Sequence, residues 1–83
     1  MQVTLKLFAS LSQYLPAGHQ NYQITLEVAD GTTVNGLLQK YHLPPKLVHL
    51  VLVNGSYIEP ADRPVRALIQ NDVLAVWPPV AGG

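Results

Sequence analysis

The chain has 83 residues, enough for one hydrophobic core and too few for two. At 48% hydrophobic and 12% charged residues it has the apolar content to fold and too little charge to stay disordered. Five basic and five acidic residues cancel, so no basic field is available for nucleic acid or an anionic membrane, and the absence of cysteine excludes disulfides, a thiolate nucleophile and cysteine-ligated metal centres.

The opening stretch MQVTLKLFAS lacks the basic segment and long apolar run of a secretory leader, and no stretch approaches the roughly 18 apolar residues of a spanning helix. A soluble, cytoplasmic protein is expected. From Gln2 to Phe8 the residues alternate, with Val3, Leu5 and Leu7 on one face and Gln2, Thr4 and Lys6 on the other, which predicts a half-buried strand. Phe8 departs from the alternation: its parity puts an aromatic ring on the polar face beside Lys6. Residues 10 to 21 mix turn formers with Leu11 and Leu15 and suggest a short helical turn, then a loop. A second alternating run places Tyr22, Ile24, Leu26 and Val28 inward and is expected to pair with the first as a hairpin.

Asp30-Gly31 ends that strand, and Thr32 or Thr33 offers a hydroxyl to cap a helix. Val34, Leu37, Leu38 and Tyr41 follow as one apolar stripe, and Pro44-Pro45 is expected to stop the helix. Gly36 costs the first turn roughly 0.8 to 1.0 kcal/mol against alanine, so packing has to hold it. Leu50 to Val53, ended by Asn54-Gly55, predicts a third strand, with a short extra one around Tyr57 to Ile58. Residues 59 to 66, with two prolines and four charges, predict an exposed loop with Val65 and Leu68 pinned to the core. Asn71-Asp72 makes the next turn, Val73 to Trp77 is the last strand, and Pro78-Pro79 closes it. The pattern predicts an α+β domain spanning residues 1–83: a small mixed sheet with one main helix packed on one face, and residues 78–83 as an extended tail.

Chemistry-bearing groups are sparse. His19, His42 and His49 show no HExxH arrangement and no carboxylate at ligand spacing, so no metal site is expected. Glu27, Glu59 and Asp62 are dispersed, and Asp30 and Asp72 sit in turn sequences. No phosphate-binding glycine loop and no nucleophile elbow are present. Lys40 and Lys46 flank the helix end, where cations suit the dipole.

Two features ask for more. Gly82-Gly83 close the sequence after a stiff Pro78-Pro79; residues without a Cβ make a thin peptide, able to enter a narrow tunnel with its carboxylate foremost. Taking Leu74 and Val76 as the inward parity of the last strand places Val73, Ala75 and Trp77 on the face that carries Phe8. If the two strands are neighbours, Phe8 and Trp77 stand together as a docking surface beside the tail; the alternative is a Trp77 folded against the tail or packed inside.

Over nearly its whole length the sequence resembles the MoaD/ThiS family of ubiquitin-like sulfur carriers, which have the β-grasp fold. VTLKLFASL is similar to the family's first strand, DGTTVNGLLQKY to its helix entry and VLVNG to its third strand and turn. NDVLAVWPPVAGG resembles the closing Gly-Asp-x-Val-x-Phe-Phe-Pro-Pro-Val-x-Gly-Gly, closest in the small, sulfur-carrying subunit of molybdopterin synthase. Asn71 stands where the family usually has glycine, and Ser12-Gln13 where many molybdopterin-type members have Arg-Glu.

The resemblance implies a carrier with no catalytic side chain of its own. A ubiquitin-activating-like adenylyltransferase would transfer AMP from ATP to the Gly83 carboxylate, and a sulfur donor, a sulfurtransferase or desulfurase, would displace AMP to leave a thiocarboxylate. ATP is used by that partner, and no cofactor is bound by the carrier. Gly82 and Ala81 would line the partner's tunnel, and Phe8, Trp77, Pro78, Pro79 and Val80 would form the partner interface. The acceptor would be the large subunit of molybdopterin synthase, which installs sulfur on a pterin precursor in molybdenum cofactor biosynthesis. Other carrier pathways (thiamine thiazole, another sulfur metabolite, a tungsten cofactor) and a non-catalytic interaction module or lysine-linked modifier are the alternatives.

Overall fold

Alternation over Gln2–Leu7 produces strand β1, with Val3, Leu5 and Leu7 buried. The computed structural model describes residues 1–80. After β1 come a 3-10 turn at Ala9–Tyr14, strand β2 (Gln23–Glu27), helix α1 (Val34–Lys40), a short 3-10 turn at Pro45–Leu47, strand β3 (Leu50–Val53), the two-residue strand β4 (Ser56–Tyr57) and strand β5 (Val73–Trp77). The strands form one mixed sheet in the order β2-β1-β5-β3-β4. β1 and β5 run parallel at its centre, Leu5 opposite Leu74 and Leu7 opposite Val76, and every other pair is antiparallel. β2 and β3 therefore point the same way from either side of the central pair, and α1 crosses between them over one face. This is the β-grasp architecture.

The core lies between that face and α1. Leu5, Leu7, Val51, Val53, Leu74 and Val76 from the sheet meet Val34, Leu37 and Leu38 from the helix, while Leu11, Leu15, Leu43, Ile58 and Leu68 close its margins. Burial of each such Leu or Val is worth about 1.5–3 kcal/mol, which explains why a 7-residue helix with Gly36 near its start persists. Thr33 is the N-cap: its Oγ1 accepts from Gly36 N–H at 3.0 Å. Thr32 instead donates its hydroxyl to Ala29 O.

The helix stops at Lys40, before the prolines reach it. His42 has φ +62, its N–H donates to Gln39 O, and Leu43 N–H donates to Leu38 O, a Schellman closure with histidine where glycine is usual. Asn54 and Gly55 both have positive φ, as the tight β3–β4 hairpin requires. Asn71, at φ +71, takes the left-handed position of its turn.

Three expectations need correction. Val65 is 75% exposed, whereas Leu68 is buried. Bonds from Val34 N–H to Arg66 O and from Leu68 N–H to Thr32 O align this segment with the helix entry and point Leu68 inward, while the turn closed on Asp62 O turns Val65 outward. The 59–66 loop is not uniformly exposed either: Arg63 is 6% exposed, its Nε–H donating to Ile58 O at 2.9 Å. Tyr22 does not begin β2. Asn21 and Tyr22 have φ +52 and +64, and the strand starts at Gln23. Among the described residues no helix is long and apolar enough to cross a membrane.

Candidate docking and carrier site

The sheet face turned away from α1 divides along its length. β2 and β1 present Gln23, Thr25 and Glu27 beside Gln2, Thr4 and Lys6. β5, β3 and β4 present Val73, Ala75, Trp77, Leu50, Leu52 and Tyr57, and register makes them contiguous: Leu50 lies opposite Trp77, and Leu52 opposite both Ala75 and Tyr57. An uncovered apolar stripe on one half of a sheet is the kind of surface that marks interaction sites.

Aromatic rings close the tail end of this stripe. Phe8 N–H donates to Val76 O at 3.1 Å, which carries β1 one residue further along β5 and brings Phe8 level with Trp77. The two rings stack at 4.4 Å between centroids and 9° between planes. Tyr22 stacks on Phe8 from the β2 side at 6.2 Å and 27°. Each such pair adds about 0.5–1.5 kcal/mol beyond the area it buries. The left-handed backbone at Asn21 and Tyr22 swings the Tyr22 ring onto Phe8, and Leu7 N–H donating to Tyr22 O holds it there. Ala9, at φ +51, bends the chain directly after Phe8. Backbone strain of this kind persists only where neighbouring structure over-determines it.

Phe8 and Trp77 are thus brought together as expected, half-buried and outside the core cluster. His49 N–H donates to Trp77 O at 3.0 Å and fixes the point at which the chain leaves the sheet. Pro78 is half-buried, Pro79 is exposed, and Val80 is 78% exposed. Ala81, Gly82 and Gly83 lie outside the described residues. The stripe leads along β5 directly into the tail, so a partner seated on it has the tail within its reach.

Tyr22, Leu50, Leu52 and Tyr57 belong to this face and were not singled out by sequence. Leu50 and Leu52 did carry a signal: an unbroken apolar run in a strand is apolar on both faces. Tyr22 carried none, because alternation assigned it inward. The histidines stay apart, and among the described residues no group of three His, Asp or Glu side chains is placed to hold a metal.

Comparison with known proteins agrees with this fold. The model of the ThiS family matches residues 5–83. A solution structure of the HVO 2177 protein from Haloferax volcanii is 29% identical, with all of this chain and 87% of that one covered and a TM-score of 0.76. The crystal structure of SAMP1 from the same organism is 25% identical over the full length of both chains, with a TM-score of 0.67. A complex of subunits 1 and 2 of the molybdopterin-converting factor from Helicobacter pylori contains a chain of the same fold, 19% identical over the full length of both, with a TM-score of 0.60. No curated protein matches the chain at a significant level.

Proposed function

The chain belongs to the ThiS family of ubiquitin-like sulfur carriers, and on that premise we propose that its Gly83 carboxylate is adenylated, converted to a thiocarboxylate and used to donate sulfur to a pterin precursor in molybdopterin biosynthesis. The observation that carries the reading is the family match running through Pro78-Pro79 to Gly83. A carboxylate resists substitution because hydroxide is a poor leaving group. Attack of the carboxylate oxygen on the α-phosphorus of ATP releases pyrophosphate and gives an acyl adenylate. Hydrosulfide displaces AMP and leaves -COSH directly. A persulfide donor displaces AMP to give an acyl disulfide, and a thiol of the partner then cleaves its S–S bond, releasing -COSH and becoming a disulfide. A protein without cysteine carries sulfur in this way, and the partner enzymes supply ATP binding, the sulfur source and the catalytic groups. The carrier supplies the terminus and, through Trp77, Phe8 and the β3 leucines, the surface on which each partner seats.

Molybdopterin is preferred among sulfur pathways because of the Pro-Pro-Val-x-Gly-Gly ending, and the Helicobacter pylori complex shows a chain of this fold paired with a second subunit of such a factor. In this reading the protein is the small subunit of the synthase, works in the cytoplasm and has no catalytic side chain. The 25% identity to SAMP1, a small archaeal modifier protein, favours a second reading, a modifier whose Gly83 is joined to lysine amines.

Intact-mass spectrometry after incubation with ATP, the cognate adenylating enzyme and a sulfur donor tests the proposal. The expected result is replacement of one carboxylate oxygen by sulfur at Gly83. An unchanged terminus, under conditions that thiolate a control carrier, overturns it, and covalent attachment to lysines without thiolation selects the modifier.

A further inference from the structure

A cavity of about 210 Å³ opens on the helix side of the molecule, between α1, the 3-10 turn at Pro45–Leu47 and the 59–66 loop. Its apolar wall includes Leu38, Leu43 and Val48, and its polar groups are Asn35, Gln39 and Arg63. Arg63 is the unusual member. Only 6% exposed, it donates Nε–H to Ile58 O at 2.9 Å and a long Nη2 contact to His49 O at 3.4 Å. A guanidinium has five N–H donors, so three are left over. None of its fully buried nitrogens lacks a partner, so the spare donors sit on nitrogens that keep some access to solvent, and Arg63 lines the cavity.

Among the described residues no carboxylate pairs with Arg63; the ion pairs formed are those of the N-terminal amine with Glu27 and Asp30. A buried charge is normally paired, because desolvation without a counter-charge is costly. Asn35 and Gln39, four residues apart on one face of α1, make no side-chain hydrogen bond among the described residues and flank the same opening. A cation without a carboxylate partner, its guanidinium carbon 5.9 Å from the centroid of the Tyr57 ring, two unused amides and an apolar wall therefore converge on one small space.

We propose that this cavity binds a carboxylate borne on a short apolar body. Arg63 takes the carboxylate, the Asn35 and Gln39 amides hydrogen-bond to it, and Leu38, Leu43 and Val48 cover the apolar part. A phosphate fits less well: its extra oxygens and charge would lie against leucine and valine, with a single guanidinium to answer them. The volume is below the ~300–1,000 Å³ of drug-sized pockets, which sets the occupant as a small group. Its source is a free organic acid or the terminal carboxylate of a partner protein. The second is within geometric reach, because Arg63 contacts His49 O while His49 N–H holds Trp77 O, which places the cavity beside the root of the tail. The proposal stands independently of the sulfur-carrier reading.

The test is an NMR titration of the full-length ¹⁵N-labelled chain, following Arg63 Nε–H and the Asn35 and Gln39 side-chain amides. The probes are 4-methylpentanoate, N-acetyl-leucine, their uncharged amides and inorganic phosphate. Saturable shifts with a carboxylate, at least about tenfold weaker with its amide and with phosphate, are expected. A preference for N-acetyl-leucine identifies a peptide terminus as the source, and a preference for 4-methylpentanoate identifies a free acid. Arg63→Gln is expected to abolish the shifts. Because Arg63 also holds the 59–66 loop, Gln39→Glu is the second variant: it adds a like charge at an exposed helical position and is expected to weaken binding at least about tenfold in a folded chain. Absence of saturation up to about 20 mM carboxylate, equal response to the amides, or unchanged affinity in folded Gln39→Glu overturns the proposal.

Discussion

Asp72 shows how one side chain ties together parts of the fold distant in sequence. It is 3% exposed, and its Oδ1 accepts from Asn54 Nδ2 at 2.8 Å while its Oδ2 accepts from Ile69 N–H at 2.9 Å. Asn54 in turn accepts Val73 N–H on its Oδ1 at 2.8 Å. The β3–β4 turn is thereby fastened to the start of β5, the strand that leads to the tail. Turn formation was the sequence reading of Asp72, and the structure adds that the carboxylate serves two loops at once. Asp72→Ala leaves two donors without an acceptor, and hydrogen bonds to a charged group are the stronger kind, so the variant is expected to lose about 2–3 kcal/mol. Asp72→Asn keeps one acceptor oxygen and is expected to lose less. Urea denaturation measures both, and a loss below about 0.5 kcal/mol for the alanine variant would put Asp72 among ordinary surface positions.

At the scale of elements, the order of strands and helix was legible because each strand buries one parity and α1 buries one stripe. The boundaries set by backbone conformation were not. Proline was expected to stop α1, yet the helix ends earlier, at the left-handed His42, a role that sequence assigns to glycine far more readily than to histidine. Tyr22 was misassigned for the same reason, since alternation carries no information about a left-handed kink. Arg63 was hidden in a loop whose prolines and charges read as exposed, and only the fold shows that its guanidinium turns inward to Ile58 O. The docking face was half legible: Phe8 and Trp77 stood out by parity, whereas Leu50 and Leu52 were not singled out, because an unbroken apolar run does not say which face is covered. The helix terminus supplies its own test. A non-glycine residue in the left-handed region costs about 1–2 kcal/mol, part of which glycine forfeits through its freer unfolded chain. His42→Gly is therefore expected to stabilise the protein by about 0.5–1 kcal/mol, a rise of a few degrees in Tm for a chain of this length. An unchanged or lower Tm would show that the His42 side chain contributes more than its backbone strain removes.

At the scale of the whole molecule, a small chain has one sheet face left after α1 covers the other, and half of that face is polar. The proposed function requires successive partners: an activating enzyme that adenylates Gly83 and an acceptor that receives the sulfur. Both have to take the tail into an active site, and the tail leaves the sheet at Trp77, beside the Phe8 stack and opposite Leu50. On this reading the two partners are expected to compete for one apolar stripe and to bind in turn. A ring at the centre of a desolvated interface typically contributes at least about 2 kcal/mol, so Trp77→Ala is expected to weaken binding to the adenylating enzyme and to the large synthase subunit alike, each about thirtyfold. Deleting Gly82-Gly83 should abolish thiolation and binding to the large subunit while leaving the unfolding midpoint in place, because a glycine has no side chain to contribute to a core. Binding to a thiazole synthase in place of the large subunit would move the carrier to the thiamine pathway. Calorimetric titration of each partner with the wild-type chain and both variants makes the comparison. Weakening by Trp77→Ala confined to one partner would mean that the other docks on a different surface, and that the stripe does not serve both.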